Sequence, residues 1–340
     1  MVIAARGPLS EALLAALTAP PGTPIAAPRV DAAHALDGED LHYALYLCYE
    51  LHYRGLPGVD DRWEWDPALL AFRAALEDAF EAALVAAIGP AAGGVDASEM
   101  DLALRAIAEA DDSPSLSRHL ERDGTIAQFH EFLVHRSAYQ LKEADPHSWA
   151  LPRLHGRPKA AMVEVQADEY GAGRPDRIHA QLFADAMEAV GLDSAYGAYL
   201  DRIPGITLAT VNLMSLCGLH RRLRGAIVGH LALFEMTSSV PNRRYANGLR
   251  RLGCVDGALD FFDEHVEADA VHEAIAAVDL AGGLAEQDPA LSPQILWGAR
   301  ALVFVEGRWA GHVLDRWERG ETSLLGGSAL ETRLAPLLEA

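Results

Sequence analysis

The chain has 340 residues, room for one large or two ordinary domains at roughly 150 residues each, and half of its residues are apolar, enough for a sizeable core. Its 28 basic against 49 acidic side chains leave a net charge of −21, which repels phosphate backbones and anionic membrane surfaces and so argues against nucleic-acid and peripheral-membrane roles. Ala, Leu, Glu, Asp and Arg dominate while β-branched and aromatic residues are sparse, so an all-α fold is expected. Cys48, Cys217 and Cys254 form no CxxC pair, which predicts neither a disulfide framework nor a thiolate zinc site and points to a reducing, cytoplasmic setting. The first residues lack a basic segment followed by an apolar stretch, and the most apolar later run, Ile206 to Leu219, has only 14 residues. Neither a signal peptide nor a membrane span is expected.

In chain order, the proline- and alanine-rich segment 1–35 allows one short helix near Ser10 to Leu17. The first firm helix runs from about Asp40 to Tyr53, with Leu41, Leu45, Cys48 and His52 on one stripe and Gly55 and Pro57 as its stop. A second opens at Asp66-Pro67 and closes at Gly89-Pro90. Helices near 98–110, 114–123 and 124–142 follow, then one over about Lys159 to Tyr170 that Gly171 to Pro175 interrupts before it continues to Val190. Further helices are expected at 193–202, 206–236, 242–252, 255–281 and 291–319, with no internal repeat and no strand pattern.

The sharpest motif is His265-x3-Asp269-x2-His272. At about 100° per residue, Asp269 lies about 40° from His265 on the helix circumference and His272 about 20° on the other side, so all three project from one face. Two imidazoles and a carboxylate suit iron, manganese or zinc, and the lack of thiolates argues against a structural zinc. The competing reading is a solvated charged face, because Asp263, Glu264, Glu267 and Glu273 lie close by.

A second set of acidic residues sits in apolar helices, where an unpaired carboxylate would cost several kcal/mol. Glu235 follows Leu231, Ala232 and Val228 on its own stripe, and its alternative role is an ion pair with Arg243 or Arg244. Glu164 and Glu169 share another half-apolar helix, with His179 ten residues beyond Glu169. A dication would neutralise such carboxylates. Together these helices contribute Glu, Glu plus His, and His/Asp/His, the way carboxylate-bridged di-iron sites are assembled in bundles.

At this point the sequence resembles the heme-oxygenase-like di-iron oxidases and oxygenases, often labelled iron-containing redox enzymes, over about residues 125–320. The resemblance matches the third core helix at His265, Asp269 and His272, the first at Glu169 and His179, and the second at Glu235. Family members that N-oxygenate amines carry one more carboxylate upstream, and Glu143 occupies a comparable position; its competing role is a helix-end carboxylate beside Lys142. On a straight helix Glu169 and His179 lie about 80° apart, so either the Gly171 to Pro175 interruption corrects the phase or Glu164 is the partner.

The resemblance implies a heme-oxygenase-like bundle (125–320) beneath an N-terminal accessory helical layer (1–124), with 321–340 as a tail. It implies two Fe ions, cycling between Fe(II) and Fe(III), with O2 as co-substrate held as a peroxo bridge and an external electron donor. The expected reaction is N-oxygenation of an amine or amino-acid-derived small molecule, with oxidative C–C cleavage or desaturation of an amino acid or fatty acid as the runner-up. The expected partner is thus a small-molecule substrate, not nucleic acid or membrane, and a homodimer is compatible with the sequence. A non-catalytic metal- or heme-binding protein is the rival from another class; heme fits poorly because it needs a lone proximal His in an apolar helix. His42, His52, His147, His155, His220, His230 and His312 read as capping, surface or core-edge residues. Trp63-Glu-Trp65 reads as packing or a partner surface, the Arg243-Arg244 and Arg250-Arg251 pairs as solvated turns, and Gly171-Ala-Gly173 lacks the preceding strand of a phosphate loop.

Overall fold

The computed structural model describes residues 3–327, apart from the side chains of Asp256 and of 267–271. Its elements are α1 (Pro8–Leu17), α2 (Glu39–Glu50), α3 (Pro67–Ile88), α4 (Met100–Glu109), α5 (Leu116–Arg122), α6 (Ile126–Gln140), α7 (Asp145–Ser148), α8 (Gly156–Glu169), α9 (His179–Ala189), α10 (Gly205–Leu219), α11 (Arg224–Arg251), α12 (Asp260–Ala274), a π-helix (Ile275–Gly282), α13 (Gly283–Gln287) and α14 (Ser292–Glu318). The fold is all-α. Local chemistry sets several ends. Asp66 caps α3 through Ala68 N–H ahead of Pro67, and Gly89 (φ 79°) ends it; Thr125 and Gln128 form a capping box at α6.

Four expectations fail, three of them for visible physical reasons. The helix expected over 206–236 is two helices, broken at His220 in extended backbone (φ −100°, ψ 112°). Arg153 caps the break from a distance, donating to the carbonyls of Gly218 and Leu219, and His220 Nε2 meets Glu77 Oε2 at 2.9 Å. The separate helix expected at 242–252 is the continuation of α11, which runs through Pro241 and forgoes only the hydrogen bond to the Thr237 carbonyl. No helix forms over 193–199: Asp193 takes the Ala195 N–H and Gly197 turns the chain at φ 70°, leaving a 3-10 turn at Leu200–Arg202. The helix expected over 255–281 starts later and changes to π geometry after Ala274.

The long α11 lies at the centre, against α14, α12, α5 and α10, while α8 packs on the π-helix and α2 on α10. The α11/α14 crossing brings backbones together. A Cβ on Gly229 would lie 2.6 Å from the carbonyl carbon of Ile295, and one on Gly298 2.6 Å from that of Ala226. Only hydrogen fits at either position. Almost every α2 side chain is buried, including Glu50, which pairs with Lys142 at the end of α6 with neither side chain exposed. Tyr196 donates to the other Glu50 oxygen at 2.5 Å, and the Tyr46 and Tyr53 rings flank the ammonium. Among the described residues no helix is long and apolar enough to cross a membrane.

Candidate metal centre

Five chain segments deliver side chains to one buried locus. Glu143 stands on the turn between α6 and α7, whose next residue, Ala144, is left-handed (φ 71°), a conformation that costs a non-glycine residue roughly 1–2 kcal/mol. The turn is held from two sides: Lys142 reaches Glu50, and Gln166 Nε2 donates to Ala144 O at 2.8 Å. Lys142 is therefore not Glu143's ion-pair partner. Glu169 is the last residue of α8 and His179 the first of α9. The segment between them is two 3-10 turns with left-handed Gly171, Ala172 and Gly173, which resets the phase lost on a straight helix. At Gly171 a Cβ would meet the Arg177 carbonyl carbon at 2.6 Å, so the return of the chain requires glycine. Glu164 points to solvent. Glu235 comes from mid-α11, and His265 and His272 from α12.

The contacts form two adjoining groups. His179 Nδ1 lies 3.0 Å from Glu169 Oε2, His265 Nε2 lies 3.5 Å from Glu143 Oε1, and the two imidazoles approach to 4.4 Å between centroids. His272 Nδ1 lies 3.2 Å from Glu235 Oε2. Glu143, Glu169, His179 and His265 offer ligand atoms all within 4.8 Å of one another, and so do Glu169, Glu235 and His272. Glu169 belongs to both groups. Asp269 lies outside the described residues. Arg243 is exposed and Arg244 turns to Glu121, Ser115 and Ser117, so the ion pair considered for Glu235 is not made; a histidine stands there instead.

The residues fit a bound cation. Glu143 Oε2 and His179 Nδ1 are buried without a hydrogen bond, although His179 Nδ1 is 3.0 Å from a carboxylate oxygen. Two lone-pair atoms set at this range without hydrogen-bond alignment are arranged for a third body. His265 donates from Nδ1 to the Phe261 carbonyl at 2.7 Å, which keeps Nε2 as a lone-pair donor on the Glu143 side. His272 is fixed between Glu235 and Asp168, whose Oδ2 meets Nε2 at 2.9 Å. Asp168 was not anticipated from the sequence; its only signal is an acidic neighbour to Glu169. A nitrogen and oxygen donor set with no thiolate is hard to borderline, suited to iron, manganese or zinc.

Without a cation the carboxylates favour the protonated forms of His179 and His272. Burial pulls His272 down, but Glu235 and Asp168 outweigh it and push its pKa up to about 9. His179 is likewise raised because Glu169 overcomes its burial. Burial raises Glu169, but the imidazoles of His179, His265 and His272 overcome that and hold its carboxyl low, while burial dominates at Glu143 and raises it.

Two cavities adjoin the cluster. A small one touches Glu169, Glu235, Tyr139 and His147. His147 and His230, taken from sequence as peripheral, are buried and paired at 3.1 Å. The larger, about 690 Å³, reaches Glu143 and His265 from the α4–α5 loop between aromatic walls.

The family profile described as iron-containing redox enzyme matches residues 130–307, which include every clustered side chain named above. No curated protein matches the chain.

Proposed function

The chain belongs to the iron-containing redox enzymes, and on that premise we propose that it is a non-heme, O2-dependent oxygenase that holds two irons and N-oxygenates an amine. The observation that carries this reading is the position of Glu169 in both ligand groups. One carboxylate within reach of two adjoining donor sets is what a bridged pair of cations needs. Glu143, Glu169, His179 and His265 would hold one iron, and Glu169, Glu235 and His272 the other, with Asp269 as a seventh expected ligand. Iron bound there supplies the redox and O2 chemistry that no side chain supplies. In the overall reaction one oxygen atom of O2 ends on nitrogen and the other leaves as water, with two electrons from an external donor and two protons taken up.

The chain's own residues orient and exclude. Phe261 O and Asp168 fix the ring orientation of His265 and His272, leaving no freedom for either imidazole to turn away. Phe234, Phe183 and Phe261 wall the approach to Glu143 and His265, so substrate arrives with little water. The preference for N-oxygenation rests on Glu143, which is buried, points into the cluster and is not spent on Lys142.

The test is anaerobic Fe(II) loading with iron counted per chain, then O2 exposure with a panel of amines and fatty acids. About two irons and amine-dependent O2 uptake are expected. Glu143→Ala should retain one iron better than the other and lose amine oxidation, whereas full iron with full turnover in that variant would remove the reason for N-oxygenation and favour oxidative cleavage.

A further inference from the structure

The larger cavity says more about the substrate than the cluster does. Its volume of about 690 Å³ lies in the range of sites that enclose ligands of drug size, and a small amino acid would leave most of it unfilled. Part of its wall is aromatic, with Phe183, Phe261, Phe262 and Trp309 each almost wholly buried behind the face they present. A ligand that displaces water from such walls brings a bulky apolar body.

The polar groups select the head group. Asp111, Asp112, Glu143 and Glu306 line the cavity against two guanidiniums, Arg118 at the exposed rim and Arg136 within. Arg136 is committed: both its terminal nitrogens bond Glu306, at 3.0 and 2.8 Å, and its guanidinium lies 3.9 Å over the Trp309 ring. Short of the irons themselves, an anionic head reaching the cluster end past these side chains would therefore meet carboxylates and no uncommitted guanidinium. Gln140, one helical turn before Glu143, lines the same cavity, and its Oε1 is buried and accepts no hydrogen bond. A buried acceptor left in this state costs about 1–3 kcal/mol and is satisfied by a ligand that donates. An amine brings N–H donors whether protonated or neutral; a carboxylate brings none.

We propose that the cavity binds a bulky, mainly apolar primary amine, for which the Gln140 side chain turns its Oε1 into the cavity to accept an N–H, so presenting the nitrogen beside Glu143 and His265. The inference rests on the oxygenase reading above and narrows its substrate. Gln140 is a positioning residue, distinct from the candidate metal ligands.

Binding is measured by calorimetry on the anaerobic Fe(II)-loaded full chain, with 4-phenylbutylamine against 4-phenylbutyrate, decylamine against decanoate, and alanine as the small probe. Each amine should bind at least about tenfold tighter than its matching acid, and alanine should give no measurable heat. Gln140→Leu should weaken the amine about tenfold with iron content unchanged, and Gln140→Asn should recover part of the loss. Leu302→Trp, on the wall that α14 supplies, should fill the cavity and abolish amine binding with iron retained. Acids that bind as tightly as amines, or amine binding unaffected by Gln140→Leu and Leu302→Trp, would overturn the proposal. If amines bind as expected but emerge unchanged after O2 exposure, the oxygenase reading fails while the binding inference stands; if a fatty acid is oxidised instead and amines do not bind, the inference and N-oxygenation fail together while an O2-dependent iron oxygenase remains.

Discussion

Replacing Gly229 by Ala adds one methyl group where α11 and α14 have their backbones in contact. The new Cβ would sit 2.6 Å from the carbonyl carbon and 2.9 Å from the Cα of Ile295, against an ordinary carbon–carbon contact of about 3.5–4.0 Å. The helices must part by about 1 Å, and since the obstacle is backbone with no rotamer to escape into, the cost falls at the upper end for overpacking, about 3 kcal/mol. Spread over the unfolding entropy of a 340-residue chain, that lowers Tm by about 4 °C. The displacement also reaches the cluster, because Glu235 lies six residues further along α11, about 9 Å along its axis, while Glu169 stays with α8. A misplacement of that size at a reacting centre costs on the order of a hundredfold in rate. Thermal unfolding and iron per chain, measured together, check both halves. Gly229→Ala with an unchanged Tm and full iron would refute the close crossing and the coupling drawn from it.

Lys142→Met leaves the Glu50 carboxylate buried with only the Tyr196 hydroxyl, which should cost about 3–5 kcal/mol, read as a lower urea midpoint; Lys142→Met with Glu50→Leu should recover most of it. An unchanged midpoint in the single variant would mean that the pair is not buried. Cation binding requires neutral His272, whose pKa stands near 9, so Zn(II) affinity should climb with pH up to about 9 and then level, with protons released on loading. Asp168→Asn should bring the plateau to lower pH, and a flat profile in the parent protein would contradict it. In the cation-free protein the same raised pKa stabilises the fold fully below about pH 6.5, and this contribution is lost as pH rises through about 9, a trend that melting curves across that window test.

The histidine pair of α12 was legible because a helix converts spacing directly into direction, and Glu235 because a carboxylate inside an apolar stripe needs a reason. Glu169 and His179 were legible as residue types and not as geometry. Their meeting depends on three consecutive left-handed residues, of which Ala172 carries no sequence signal for that conformation. The break at His220 was illegible because its caps come from Arg153 and Glu77, far along the chain, and so was the run of α11 through Pro241, where one missing hydrogen bond in a 28-residue helix is outweighed by packing on both neighbours. Asp168 and Gln140 went unnoticed for a shared reason. Asp168 acts through His272 across a helix interface and Gln140 through a cavity that only the fold creates, and neither residue type is unusual where it stands.

The histidine–carboxylate contacts also bear on the order in which the protein is made. Glu169 with His179, Glu143 with His265, and Glu235 with His272 set imidazole beside carboxylate, so protonated histidines offset the buried carboxylates where no cation does. The rest of the core is apolar helix packing that needs no ion, unlike small domains in which the ion is the folding nucleus. Loading then becomes an exchange of protons for cations in a finished protein, reached on the second side past Asp168, whose carboxylate is more than half exposed and is the last group between His272 and bulk water. Supply of metal in the cell, and not the survival of the fold, would set how much of the protein is active.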